Sequence, residues 1–180
     1  MAPYSSLELA YARPIANAML DRPEFLQWLL SGTKFQCDAL TAKPLGQAQA
    51  GLRSSGLKNP YWFNYWCPKD GRCACRIESG IETDILIIYV CADGRRLAVH
   101  VEIKRPLDNF RPGQAESYPR RAACWVNPVT RPRTVPVHQE FVTVLVCGLE
   151  LKADSRSNNF DKIVCHDDIC DRIEFYPDRE

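Results

Sequence analysis

Three residues of this sequence could together perform metal-assisted chemistry: Asp84, Glu102 and Lys104. Asp84 begins the apolar run 85–88, and Glu102 and Lys104 end a second run of alternating apolar residues. A charge inside an apolar strand is costly unless it is paired or bound to a metal. Because side chains alternate along a strand, Glu102 and Lys104 lie on the same face. We therefore expect these three side chains to act together.

These residues are suited to bind a hard divalent cation. Two carboxylates and a backbone carbonyl are oxygen ligands that suit Mg²⁺ or Mn²⁺, and we assign these ligands to Asp84, Glu102 and Ile103. Such an ion can bind a phosphate and activate a water, while a neighbouring lysine stabilises the developing charge. The set predicts phosphodiester hydrolysis. A simpler alternative is a surface ion pair of Lys104 with Glu102 or Glu82.

Two predicted strands carry these residues. Residues 82–91 are rich in Ile, Leu, Tyr and Val, and residues 95–104 alternate between apolar and other side chains. Asp93-Gly94, which lies between the two segments, is typical of a hairpin turn. The two strands are therefore expected to be antiparallel neighbours.

The length of the hairpin loop decides whether the two carboxylates meet. Directly paired residues on antiparallel strands project to the same face. A loop of two or four residues would turn Asp84 away from Glu102. A three-residue loop pairs Cys91 with Arg95 and sets Asp84 opposite Glu102. We therefore predict the three-residue loop, with Gly94 at positive φ.

This arrangement resembles the PD-(D/E)xK nuclease superfamily, in which an Asp opens one strand and Glu-x-Lys lies on the next. The segment from Gln114 to Tyr118 resembles the QxxxY motif of the RecB-like branch, on a helix predicted over 113–126. Thr83 stands where the family name has proline, which the family tolerates. The resemblance covers residues 78–147.

The resemblance implies an α/β fold with a restriction-endonuclease-like core, a mixed central β-sheet flanked by helices. It also implies that Asp84 and Glu102 bind the metal and that Lys104 is the catalytic lysine. Gln114 and Tyr118 would orient the site or contact DNA. Members often carry another acidic residue on an early helix. Our candidate for that residue is Glu24, with Glu8 as its rival.

The expected substrate is DNA, cleaved with Mg²⁺ or Mn²⁺ as cofactor. The formal net charge is only +1, so contacts to phosphates would need a local basic patch. We choose Arg120 and Arg121 for these contacts. The alternative is a nuclease-like fold that no longer cuts and binds nucleic acid or protein. The choice of DNA over RNA, endo- or exonuclease action, sequence preference and oligomeric state stay open, a homodimer among the possibilities.

The length of 180 residues indicates a single nuclease-like domain, with a core over about 72–150. An N-terminal part over 5–31 is predicted to be helical, and Pro14 and Pro23 favour two helices or a kink. Pro119 is expected to end the later helix early. Residues 141–147 are predicted to form a buried central strand.

The nine cysteines suggest a reducing compartment. We find no signal peptide and no apolar run long enough to span a membrane, so the predicted location is the cytoplasm. Cys67, Cys73 and Cys75 lack the paired C-x-x-C spacing of a zinc ribbon. We therefore expect nine reduced thiols and no structural metal.

Overall fold

A computed structural model describes residues 4–53, 59–67, 73, 75 and 82–177. The helices are α1 (Tyr4–Asp21), α2 (Pro23–Leu29), α3 (Gly46–Gly51), α4 (Gln114–Val126), α5 (Leu149–Lys152) and α6 (His166–Cys170), with a 3-10 helix at Ser155–Asn159. The strands are β1 (Lys43–Pro44), β2 (Phe63–Trp66), β3 (Glu82–Val90), β4 (Arg96–Ile103), β5 (Glu140–Cys147) and β6 (Lys162–Cys165). The sequence also predicts a short strand over residues 72–78, which fall largely outside the described residues.

The described strands form one open mixed sheet. Its main path runs β1-β3-β4-β5-β6, and β2 pairs with the same edge of β3 as β1 does. The pairs that involve β3 are antiparallel, whereas β4–β5 and β5–β6 are parallel. Helix α4 makes the connection that the parallel β4–β5 pair needs. The predicted α/β class with a mixed sheet is therefore confirmed, as is β5 as a buried interior strand.

Side-chain alternation gives the sheet two covered faces. Ile85 and Val99 belong to the larger apolar core, which also contains buried residues of α1 and α2. Leu86 and Ala98 point to the opposite face, where they pack with Trp125 of α4. Asp84 and Glu102 are separated from Leu86 and Ala98 by an even number of residues, so they point to the same second face. The site residues thus lie at one end of the face that α4 covers.

The predicted hairpin register is confirmed. Cys91 N donates to Arg95 O at 2.8 Å, and Gly94 N donates to Cys91 O at 2.9 Å. Gly94 has φ 84°, as the three-residue loop requires. The ladder continues to Ile85 opposite Val101, so the next residue on each strand brings Asp84 beside Glu102.

Helix α1 runs in the same direction as β3 across the larger core. The Tyr89 hydroxyl donates to the carbonyl of Met19 at 2.9 Å, which fixes the end of α1 beside the end of β3. Glu8 precedes Met19 by eleven residues, and Asp84 precedes Tyr89 by five. Each separation spans about 16 Å, because a helix rises about 1.5 Å per residue and a strand about 3.3 Å per residue. Glu8 therefore reaches the level of Asp84.

The prolines have different effects on the helices. The predicted break at Pro23 is confirmed, since α2 begins there, whereas α1 passes through Pro14. The prediction that Pro119 ends α4 early is wrong, because the helix continues to Val126. Pro119 cannot donate a hydrogen bond to the preceding turn. Burial of residues after it, including Ala122 and Trp125, stabilises the continued helix.

The prediction of nine reduced thiols is wrong for Cys73 and Cys75, which a disulfide joins. Their Cα atoms are 5.4 Å apart, a separation that a disulfide can span although one residue lies between them. No helix among the described residues is long and apolar enough to cross a membrane.

Candidate metal centre

Asp84 is held at the point where the β3–β4 ladder ends. The side chain is 3% exposed, and its Oδ2 accepts a hydrogen bond from the backbone N–H of Ile103 at 2.7 Å. The register would put Thr83 opposite Ile103, so the carboxylate takes the place of a ladder acceptor. This contact orients Asp84 and anchors it to the strand that carries Glu102 and Lys104.

Glu102 is fixed by two partners on one of its oxygens. Its Oε1 accepts from Gln114 Nε2 at 2.6 Å and lies 2.9 Å from Lys104 Nζ. The side chains of Lys104 and Glu102 are 11% and 3% exposed, so their ion pair is buried and is not the surface pair of the simpler interpretation. Glu102 Oε2 is buried and has no hydrogen-bond partner within the described part of the chain.

Gln114 and Tyr118 lie on the side of α4 that faces the carboxylates. Gln114 links Glu102 to the backbone N–H of Arg111, which donates to its Oε1 at 3.1 Å. Tyr118 is fully buried and packs on Phe160, with ring centroids 4.9 Å apart. Its burial and the charge of Glu102 raise its pKa, which keeps the phenol neutral. The predicted orientation of this helix face is thus confirmed.

Two further carboxylates join Asp84. Glu8, Glu82 and Asp84 each place an oxygen within 4.8 Å of the others. Sequence analysis named Glu8 only as a rival and Glu82 only as an ion-pair partner. Glu82 precedes Asp84 by two residues on β3, so the alternation of side chains along a strand predicts that both point to the same face. No local signal could have placed Glu8, because its position depends on how α1 crosses β3.

The structure corrects the choice of Glu24. This residue lies on α2, which follows the end of α1 that contacts Tyr89, and so it is at the other end of β3 from Asp84. It is exposed, and its Oε1 lies 3.0 Å from Arg22 Nε. Glu8 is therefore the acidic residue that an early helix contributes to the group.

Burial and mutual repulsion raise the pKa values of this group. Burial, followed by the charge of Glu102, raises the pKa of Asp84 well above its ordinary value. Burial and the charge of Glu8 raise the pKa of Glu82 to about 7. Burial also raises the pKa of Glu8 itself. A divalent cation would oppose these shifts, because its positive charge favours the ionised form of each carboxylate.

The two arginines chosen as phosphate contacts have different environments. Arg120 is exposed and remains available for such a contact. Arg121 is completely buried, and its guanidinium lies 4.2 Å from the centre of the Tyr118 ring. Arg121 and Trp125 follow Tyr118 by three and seven residues, so they lie on the same face of the helix. Arg121 is therefore corrected to an interior residue that does not reach a surface-bound phosphate.

His166 of α6 supports the backbone at the end of β4 and was missed by the sequence analysis. Its Nε2 lies 2.8 Å from the carbonyl oxygen of Lys104, and its Nδ1 lies 2.8 Å from the Tyr176 hydroxyl. A single histidine in a C-terminal segment carries no signal for this role. The contact holds Lys104 in place behind its ion pair with Glu102.

The comparisons with known proteins provide no relative. No family model matches this chain, and no curated protein or solved structure matches it either. The function therefore has to be argued from the site itself.

The chemistry of these donors fits a divalent cation. Three carboxylates converge, and a fourth, that of Glu102, presents a buried oxygen with no hydrogen-bond partner in the described ranges. A buried carboxylate oxygen with no partner is costly. Carboxylate oxygens from α1, β3 and β4 are the hard donors that Mg²⁺ and Mn²⁺ prefer.

Proposed function

We propose that this chain is a metal-dependent nuclease that hydrolyses phosphodiester bonds of DNA with Mg²⁺ or Mn²⁺. The observation that carries the proposal is the convergence of Glu8, Glu82 and Asp84 beside the buried Glu102–Lys104 ion pair. The resemblance to PD-(D/E)xK nucleases also implies such a site. It places two acids and a lysine at the ends of adjoining strands, with Gln114 on the next helix. That resemblance includes a restriction-endonuclease-like core.

In this proposal the cation is bound by four carboxylates, those of Asp84, Glu102, Glu8 and Glu82. The backbone carbonyl of Ile103 remains a predicted ligand. The bound cation supplies charge neutralisation at the phosphate and a water of lowered pKa. A phosphate is repelled by this acidic group unless such a cation is present. The activity is therefore expected to depend strictly on the metal.

The remaining steps belong to the protein's own side chains. Lys104 stabilises negative charge as it develops on the phosphate oxygens, from a position fixed by Glu102. Gln114 holds Glu102 in one rotamer, and the Ile103 N–H holds Asp84. Such preorganised contacts lower the barrier because they need no rearrangement during the reaction. Exposed Arg120 is the proposed contact to the nucleic-acid backbone.

The test uses the purified full-length chain with Mn²⁺ or Mg²⁺ and four substrates: supercoiled plasmid, linear duplex DNA, single-stranded DNA and single-stranded RNA. Cleavage that disappears with excess EDTA and in Lys104→Ala supports the proposal. Lys34→Ala is the matched control, since Lys34 is an exposed lysine that pairs with Glu140. It should cut as the wild type does.

Two results would overturn the proposal. Cleavage of RNA alone would exclude DNA as the substrate. A protein that binds one metal equivalent by calorimetry but cuts none of the four substrates would be the inactive nuclease-like module.

A further inference from the structure

Three cysteines form a cluster that shares no residue with the acidic group. The Sγ of Cys67 lies 3.3 Å from that of Cys75 and 3.7 Å from that of Cys73. Cys73 and Cys75 are each 3% exposed, and Cys67 is partly buried against the core beneath α4. Cys67 and Cys75 are eight residues apart in the sequence, yet their sulfur atoms lie close together.

Apolar packing alone does not explain this convergence. Small thiols bury little surface, and bringing the ends of a loop together costs conformational entropy. A shared soft metal ion provides a sufficient gain, since structural zinc binding is coupled to folding. The Cys73–Cys75 disulfide is the oxidised form of this cluster. It excludes metal binding by all three cysteines, because two of the three thiolates are lost when it forms.

We propose that Cys67, Cys73 and Cys75, in their reduced form, bind one Zn²⁺ through three thiolates. Zn–S bonds of about 2.3 Å in a tetrahedron put the sulfurs about 3.8 Å apart. The two separations that involve Cys67 are 3.7 Å and 3.3 Å, close to that edge length. The fourth tetrahedral position is available to a water or another donor. Sequence spacing predicted plain thiols here because it lacks paired C-x-x-C motifs.

Two molecules of a monothiol such as glutathione reduce the Cys73–Cys75 disulfide through a mixed disulfide, and together they leave as one oxidised disulfide. The three thiols then lose their protons to solvent as the thiolates bind Zn²⁺.

The place of this site in the fold gives it a structural role. Cys67 directly follows β2, whose last residue, Trp66, pairs with Glu82 at the start of β3. Zinc would therefore fasten the connection between these strands beside the acidic group. This inference does not depend on the proposed nuclease activity, because its ligands are sulfur atoms and those of the acidic group are oxygen atoms.

The test measures metal content and cobalt spectra of the full-length chain, purified with a reductant. We expect one retained zinc per chain, lost in Cys67→Ser and kept in Cys37→Ser, whose cysteine is exposed and lies outside the cluster. Co²⁺ in place of zinc should give a sulfur-to-cobalt absorption band in the wild type. Asp84→Asn should keep that band, even if it has lost Mg²⁺ binding and nuclease activity.

A second measurement avoids reliance on a variant that could fail to fold. In the reduced wild type, Zn²⁺ should protect Cys67, Cys73 and Cys75 from alkylation, as located by mass spectrometry. The proposal is overturned if these three react equally with and without Zn²⁺. It is also overturned if the reduced wild type retains no zinc, or if its cobalt complex lacks the sulfur band.

Discussion

At the scale of single residues, Glu102 has the central position in the candidate site. One of its oxygens is fixed by Gln114 and Lys104, and the other has no hydrogen-bond partner in the described part of the chain. A carboxylate with one oriented and one available oxygen can bind a cation without losing its support. We expect Glu102 to link Lys104 to the bound cation in this way.

We expect Lys104→Ala and Glu102→Gln each to reduce the rate of DNA cleavage about a hundredfold or more. This corresponds to a loss of about 3 kcal/mol of transition-state stabilisation, typical of removing a charge preorganised for the reaction. Single-turnover rates at saturating Mn²⁺ measure the loss. Full activity in either variant would contradict the mechanism.

Glu82 provides a test that depends on pH. Its pKa of about 7 in the folded chain exceeds its ordinary value of 4.5, because of burial and the charge of Glu8. Between these values the folded state holds more protons than the unfolded state, so this group lowers the free energy of unfolding as pH rises. Glu82→Gln removes the effect. Without metal, the variant should match the wild type near pH 4.5 and be more stable at pH 8.

The relevant quantity is the difference between the two proteins at each pH. Burial lowers the pKa of His100, His138 and His166, and these groups favour the folded state as pH rises. Their contribution cancels in the difference. Thermal unfolding in EDTA from pH 4.5 to 8 gives the curve. A difference that stays flat over this range would contradict the assigned protonation of Glu82.

At the scale of elements, the β3–β4 hairpin sets the parity on which the site depends. Its three-residue loop places the apolar face of one strand against that of the other, and it carries Asp84 to Glu102. Helix α1 then decides which early acid joins them. The contact between Tyr89 and Met19 aligns the helix so that Glu8 reaches Asp84.

Gly94→Ala should destabilise the protein by about 1 kcal/mol, because φ of 84° is unfavourable for a residue with a Cβ. The position has open space around it, so the cost is conformational and not steric. Gly51→Ala is the matched control, since it also meets nothing within 4 Å and lies in α3. Urea denaturation should show a loss only for Gly94→Ala, and equal stability of both variants would argue against the assigned turn.

Glu8→Gln and Glu24→Gln form a second matched pair. We expect Glu8→Gln to weaken Mn²⁺ binding about tenfold or more, since it removes a charged ligand from a buried group. Glu24→Gln should bind as the wild type does, because its exposed side chain contacts Arg22. Isothermal titration with Mn²⁺ distinguishes them. The reverse order of effects would show that α1 does not supply the acid.

At the scale of the whole molecule, the charge distribution explains why stability and metal binding should be linked. The chain is nearly neutral overall, yet it concentrates acids from three elements at one end of the sheet. A ligand that binds only the folded state stabilises it by mass action. Mn²⁺ should therefore raise the unfolding temperature of the wild type.

The expected increase depends on the assembled group. At a Mn²⁺ concentration about a hundred times its dissociation constant, the free energy of unfolding should rise by about 2.7 kcal/mol. Thermal scans with Mn²⁺ and with EDTA measure it, and Asp84→Asn should show a much smaller rise. A rise of equal size in Asp84→Asn would place the ion elsewhere.

Local spacing along the sequence was enough to predict several features of the candidate site. Period-two alternation showed that Glu102 and Lys104 share a face, and the parity of a short loop required Asp84 to meet Glu102. The helix period put Gln114 and Tyr118 on one side of α4. Each of these conclusions rests on the geometry of one strand, one turn or one helix, which fixes side-chain direction within a few residues.

The residues that complete the site from distant parts of the chain could not be predicted, because the packing of helices on the sheet places them. Glu8 and Glu24 could not be separated from the sequence, because the choice depends on how α1 crosses β3. Arg121 has a charge that suggests the surface, but packing of α4 on the sheet buries it. Likewise, no motif spacing predicted that the sulfur atoms of Cys67, Cys73 and Cys75 lie close together. Such contacts arise from the packing of whole elements, and local sequence patterns do not encode that packing.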